Sequence, residues 1–162
     1  GFVCGQDLTN RMPNGGKLAI IEHAVAKSVL DRINGFYDGL GSLSNKFQLV
    51  SRQDGLGQLE ITLPIAENIL QANPDIKGIF AHNDEMALEA LEAVESLGKD
   101  IVIIGFDATD DAIYAVQTGT MKATVAQQPE LMGAIAIETA LKIINGETVE
   151  KTIPVEITLI KE

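Results

Sequence analysis

The chain has 162 residues, of which 46% are hydrophobic, enough for one domain with a substantial core. Its net charge of −11 argues against a phosphate backbone, and so against nucleic acid, as a direct partner. No apolar run reaches the ~20 residues a membrane-spanning helix requires, and the lone Cys4 supplies neither a disulfide framework nor a thiolate metal site.

Taken in order, Phe2–Gly5 reads as a short strand, and a loop runs through Met12-Pro13-Asn14-Gly15-Gly16. The chain starts at Gly1 without an initiator Met, inside that apolar run, which reads as a fragment; a missing leader then says nothing about compartment. Lys17–Glu22 (KLAIIE) is a buried strand. Ser28 and Asp31 have the spacing of a capping box opening a helix, whose apolar stripe is Val29, Leu30, Ile33, Phe36, Tyr37 and Leu40. Phe47–Ser51 is the next strand, and Arg52–Gln58 a loop with Gly55 and Gly57. A helix then places Ile65, Ala66, Ile69 and Leu70 inward. Pro64 suits a first turn and would kink a helix already running, so the start is expected near Leu63.

The stretch from Ile76 to Asp107 organises the rest. Ile76–Ala81 and Ile101–Gly105 are short β-branched runs. Between them Ala87, Leu88, Leu91, Val94 and Leu97 form one stripe, with Glu85, Glu89, Glu92 and Glu95 largely off it. A helix-length crossover makes the two strands parallel. Thr109 can cap a short helix, Asp110–Gln117, ended by Gly119. Met121–Gln127 is a strand, a helix runs from Pro129 to about Ile144 and stops at Asn145-Gly146, and Pro154–Ile160 is the last strand. This alternation predicts an α/β fold, a doubly wound, mostly parallel sheet with helices on both faces. The helix ELMGAIAIETALKII is apolar around most of its circumference, which predicts burial on more than one side, against something outside this chain.

No GxSxG, Walker A, HExxH or CxxC pattern occurs, and Gly15-Gly16 precedes a strand instead of following one. No cofactor, metal site or catalytic constellation is expected. The polar residues at strand ends are more informative, because in an open parallel sheet those ends border the ligand crevice. Asn83, Asp107 and Gln127 each end a strand, and Arg32 lies near the start of the helix after Lys17–Glu22. An amide, a carboxylate, a second amide and a guanidinium on one rim form the donor and acceptor set a polyhydroxylated ligand needs. The structural alternatives are plain: Asn83-Asp84 as a helix cap, Asp107 as an Asx turn in GFDATD, and Arg32 as a surface residue paired with Asp31 or Asp38. His23 and His82 read as surface or loop-edge residues and are too few for a histidine-rich metal site.

Four segments, AHNDEMALEAL, IVIIGFDATDD, MKATVAQQPELMGAIAIETALKIINGE and IPVEITLI, resemble the C-terminal part of ribose-type periplasmic sugar-binding proteins. These are solute receptors of ABC transporters, sharing ancestry with the effector domains of lactose-repressor-like regulators. The resemblance implies a periplasmic-binding-protein type I lobe, a Rossmann-like three-layer sandwich. Residues 1–162 would be one lobe of a two-lobe receptor, with helix 130–144 packing on the other. It implies sugar contacts from Arg32 in RINGF, Asn83 in the N-D motif, Asp107 in G-F-D, and Gln127. The implied function is non-enzymatic: the substrate-binding component of a sugar ABC transporter, for ribose or a similar small monosaccharide. The effector lobe of a sugar-responsive regulator is the alternative, and a flavodoxin-like enzyme would lack a phosphate loop and a nucleophile. Implied partners are a small sugar and a membrane permease, and the implied location is periplasmic, or extracellular and lipid-anchored in a Gram-positive source; in a lone lobe, helix 130–144 is expected either to fold back on its own sheet or to self-associate with another copy. Three departures stand out. Gly57 falls where the family places an aromatic that stacks on the sugar, Pro64 interrupts a helix, and residues 8–16 are too few for the helix expected before the second strand.

Overall fold

A computed structural model describes residues 1–23 and 25–162. In chain order the elements are α1 (Phe2–Arg11), β1 (Gly16–Glu22), α2 (Lys27–Leu40), a 3-10 turn (Gly41–Lys46), β2 (Phe47–Asp54), α3 (Leu59–Ala72), β3 (Ile76–Ala81), α4 (Asp84–Ser96), β4 (Val102–Ile104), α5 (Asp110–Gln117), β5 (Ala123–Ala126), α6 (Pro129–Ile144) and β6 (Thr158–Lys161). Among the described residues they form one six-stranded sheet in the order β2-β1-β3-β4-β5-β6. Every neighbouring pair is parallel except β5 and β6, where Ala126 faces Thr158 and Ala123 faces Lys161.

The period-2 alternation of the central strands divides the core in two. Ala19 and Ile21 of β1, Ile79 of β3 and Ile103 of β4 face α3, α4 and α5. Leu18, Ile20, Phe80 and Ile104 face the other way, onto α1 and α2. Phe36 of α2 stacks on Phe80 with ring centroids 4.4 Å apart. Helices α1 and α2 meet at their backbones: a Cβ on Gly39 would lie 2.1 Å from the Phe2 carbonyl oxygen, so the close approach requires glycine there. Arg11 at the end of α1 donates to Asp7 at 2.6 Å, to Glu162 at 2.7 Å and to the Lys122 carbonyl at 3.1 Å, tying the last residue to the first helix and to the start of β5.

Several expected elements differ. Phe2–Gly5 is the first turn of a helix and not a strand, because Cys4, Leu8 and Met12 recur every four residues and all three are buried. The helix that residues 8–16 could not hold therefore begins earlier. Helix α2 starts at Lys27 with Ala26 at its N-cap and no side-chain cap, so Ser28 and Asp31 make no capping box; Asp31 instead accepts from Lys27 at 2.7 Å. Leu30, Tyr37 and Leu97 are exposed members of otherwise buried stripes. Strand β2 continues to Asp54, beyond the expected Ser51. Helix α3 begins at Leu59 and carries Pro64 inside it. Pro64 is exposed, and the bond it forgoes is the one to the Glu60 carbonyl on the exposed first turn. Of the last expected strand, Pro154–Ile160, only Thr158–Ile160 pairs with the sheet, as part of β6; residues 154–157 do not join it.

Helix α6 has no buried residue. Met132, Ile135, Ala136, Ala140 and Ile143 line an open groove together with Ile153 and Val155 of the returning segment, so helix and segment form an arm beside the lobe. Met132 and Ile143 remain exposed in that groove, and Ile137, Leu141 and Ile144 face solvent outright. Within this chain the expected two-sided burial does not occur.

Candidate sugar-binding rim

The parallel strands β1, β3, β4 and β5 end along one edge, and the four expected residues stand on or beside it. Arg32 reaches from the second turn of α2. Its guanidinium lies 3.9 Å above the Phe106 ring centroid, a stacking contact that fixes its plane. Nη1 donates to the His82 carbonyl at 2.6 Å and Nη2 to Asp107 Oδ1 at 3.1 Å. Gln127, the residue after β5, donates through Nε2 to the same Oδ1 at 2.8 Å. One carboxylate oxygen thus bridges a guanidinium and an amide from opposite sides of the rim. Among the described residues these bonds occupy Oδ1 alone, and Oδ2 is left as an acceptor.

Asn83 is the N-cap of α4, its Oδ1 accepting from the Met86 amide at 3.0 Å. Capping uses only that oxygen, so the two Nδ2 donors stay available and the cap and ligand readings are compatible. Arg32 pairs with neither Asp31 nor Asp38. Asp107 holds φ at 120° and Ala108 at 55°, a backbone region that residues with a Cβ rarely adopt. Burial raises the Asp107 pKa, the Arg32 charge offsetting only part of the desolvation.

His82 stands at a loop edge, one residue past β3, which is one of its two readings, but it is not a surface residue: it is 7% exposed. Its amide donates to the Ile21 carbonyl at 3.0 Å, which draws the residue into the sheet. Nδ1 is buried without a partner among the described residues. Burial, with the nearby Arg32 and His23 charges, lowers its pKa to about 4, so the imidazole is neutral at pH 7. His23 does sit at a loop edge, Nδ1 lying 3.0 Å from Asp54 Oδ1. Gly57 has φ at 66°, and a Cβ there would meet nothing within 4 Å, so the position is open where a stacking ring was expected.

The sequence reading missed three participants. Phe106 supports Arg32, the His82 carbonyl anchors it, and Asp84 is wholly buried beneath the rim. Phe106 and Asp84 each adjoin a residue the reading singled out, and that adjacency was the available signal. Asp107, Gln127, Pro129 and Met132 line an open pocket of about 390 Å³, within the range of small-molecule sites. Among the described residues no group of three or more His, Cys, Asp or Glu is placed to hold a metal ion, and no helix is long and apolar enough to cross a membrane.

Residues 1–148 match the family described as periplasmic binding protein domain. The ribose import binding protein RbsB of Bacillus subtilis (strain 168) is 42% identical over 160 residues, covering 98% of this chain and 52% of that protein. RbsB of Escherichia coli (strain K12) is 35% identical over 162 residues, covering 99% and 54%. The chain spans about half the length of the curated relatives it matches. Among solved structures, an ABC transporter periplasmic solute binding protein from Actinobacillus succinogenes 130z with bound D-allose superposes with a TM-score of 0.89 at 32% identity, over 99% of this chain and 58% of that one. The Caulobacter myo-inositol binding protein bound to myo-inositol gives a TM-score of 0.88 at 28% identity, over 99% and 56%.

Proposed function

Because this chain belongs to the periplasmic binding protein family, we propose that it is the sugar-binding lobe of an ABC transporter's substrate-binding component, taking ribose or a similar small monosaccharide. The observation that carries the reading is Asp107, whose carboxylate is held between Arg32 and Gln127 on the rim. A sugar presents vicinal hydroxyls that both donate and accept. Asp107 Oδ2 accepts from them, while Asn83 Nδ2 and the Arg32 and Gln127 donors not already engaged complete the ring of partners. The charged members make the stronger bonds, and their mutual contacts hold them in place before the ligand arrives.

The proposal includes a second lobe. The matched relatives are about twice as long, and α6 presents an apolar face that its own lobe leaves uncovered. In the complete receptor the other lobe covers that face and closes over the sugar, excluding water and strengthening each hydroxyl hydrogen bond. Without that lobe, the same face pairs two copies of this chain. The receptor hands its sugar to a membrane permease outside the cytoplasm, free or lipid-anchored, and carries out no chemistry. The regulator reading draws no support from the relatives, which are named for import and binding.

Amide chemical-shift titration of the chain with a panel of pentoses, hexoses and inositols tests this. One sugar should give saturable shifts clustered at Arg32, Asn83, Asp107 and Gln127, with millimolar affinity, and Arg32→Ala should abolish them. Shifts clustered elsewhere would remove these four from the site, and a folded spectrum unmoved by the whole panel would overturn sugar binding by this lobe. Nanomolar affinity, about −12 kcal/mol, would contradict the half-site.

A further inference from the structure

We infer that Asp84 is a positioning residue for the rim: with Thr124 it locks the strained turn that aims Asp107 at Arg32 and Gln127. The inference rests on the sugar-site reading for its functional consequence, but its geometry stands apart from it.

Asp84 opens α4 directly after Asn83 and is 0% exposed. Its Oδ1 accepts from Thr124 Oγ1 at 2.6 Å. Its Oδ2 accepts from the Thr109 amide at 2.8 Å and from Thr109 Oγ1 at 3.4 Å. Thr124 lies within β5, and its own Oγ1 accepts from the Ala108 amide at 3.2 Å. The Asp107 amide donates to the Val125 carbonyl at 2.9 Å. Three successive backbone donors, from Asp107, Ala108 and Thr109, are therefore each held, two of them through the Asp84–Thr124 pair.

Those residues need holding. Asp107 and Ala108 occupy positive φ without being glycine, a conformation that persists only where its surroundings over-determine it. Released, the turn relaxes toward negative φ, and the Asp107 carboxylate leaves the two donors that frame it.

A merely local role does not account for the arrangement. Asn83 already caps α4, so Asp84 is not needed as its cap. A fully buried carboxylate is costly, and among the described residues no cation bonds to this one. It is compensated by hydroxyl and amide donors and by the converging N-termini of α4 and α5. Room is also kept for it: a Cβ on Gly105 would stand 2.3 Å from Asp84 Oδ1, so the residue two before Asp107 has to be glycine. One carboxylate thus fixes the ends of β3, β4 and β5 relative to one another, and Asn83, Asp107 and Gln127 with them.

The test uses the whole chain and three variants. Thr124→Val keeps the shape and removes the hydroxyl; Thr124→Ser restores it; Asp84→Asn keeps the shape but cannot accept on both sides. The first readout, without ligand, is the three-bond HN–Hα coupling of Asp107 and Ala108, which reports φ, with the side-chain amide resonances of Gln127. The second is the dissociation constant for D-ribose and D-allose. Thr124→Ser should keep wild-type couplings and bind within about twofold of wild type. Thr124→Val and Asp84→Asn should lose the positive-φ couplings, shift the Gln127 amide and weaken sugar binding tenfold or more, with core amide shifts unchanged. If Asp84→Asn fails to fold, Thr124→Val still decides.

Unchanged couplings and an unchanged Gln127 amide in Thr124→Val would overturn the inference, as would lost couplings with undiminished affinity. If wild type binds no sugar of the pentose, hexose and inositol panel, the sugar-site reading fails on that result alone, and the ligand-free couplings still judge the lock.

Discussion

A neutral imidazole buried beside a guanidinium makes the folded chain sensitive to mild acid. Native His82 takes up its proton only near pH 4, whereas in the unfolded chain it does so near 6.5. Between those values the unfolded state binds more protons, so the contribution is fully present above about pH 6.5 and is lost as the pH falls toward 4. The shift corresponds to about 3 kcal/mol across that window. Urea unfolding at pH 7 and at pH 4.5 should show this loss, and His82→Gln should remove most of it. Asp84 and Asp107 work in the opposite sense. Burial raises both of their pKa values, so their contribution is greatest in acid and declines as the pH rises through the raised values. At this scale the rim itself was legible in the sequence, because a polar side chain closing an apolar strand run is a local pattern. His82 was not. Its burial depends on an amide bond to Ile21, some sixty positions earlier, which no spacing rule displays.

Among the elements, α3 carries an avoidable cost. Pro64 lies inside the helix on its exposed side, and the Glu60 carbonyl lacks its intrahelical donor. Pro64→Ala should restore that bond and raise the denaturant midpoint, with a gain of about 1 kcal/mol or more, part of the helix-interior proline penalty being recovered and part offset by a freer unfolded chain. An unchanged midpoint would mean that the first turn of α3 is already frayed. The helix start near Leu63 failed for a physical reason: proline is tolerated where the forgone bond lies on a solvated turn. Phe2–Gly5 failed for another. Four residues cannot distinguish a strand from one turn of helix, and only the continuation through Leu8 and Met12 reveals the period. The strand–helix–strand unit from Ile76 to Ile104 was the most legible part, since length, β-branching and amphipathic stripe all agreed there.

For the whole molecule, the uncovered arm separates association from folding. The chain alone should sediment as more than a monomer at raised concentration, and Ile137→Lys with Leu141→Lys should return it to a monomer. Because no residue of α6 is buried in the lobe, the free energy of urea unfolding, measured where both chains are monomeric, should stay within about 0.5 kcal/mol of the starting chain. A stability loss of several kcal/mol would instead mean that α6 packs on its own sheet. The apolar circumference of α6 was visible in the sequence, but what covers it was not, since a pattern specifies a face and not its partner. The way the arm joins the lobe has a mechanical consequence. The chain leaves the sheet at Ala126, passes Gln127 and enters α6 two residues later; it returns at Thr158, which pairs with Ala126. Both attachments flank Gln127. The arm is a lever roughly 24 Å long, and Gln127 sits at its fulcrum. Any turn of the arm against the sheet has to be taken up at these two attachments, and Gln127, whose amide bonds to Asp107, lies between them.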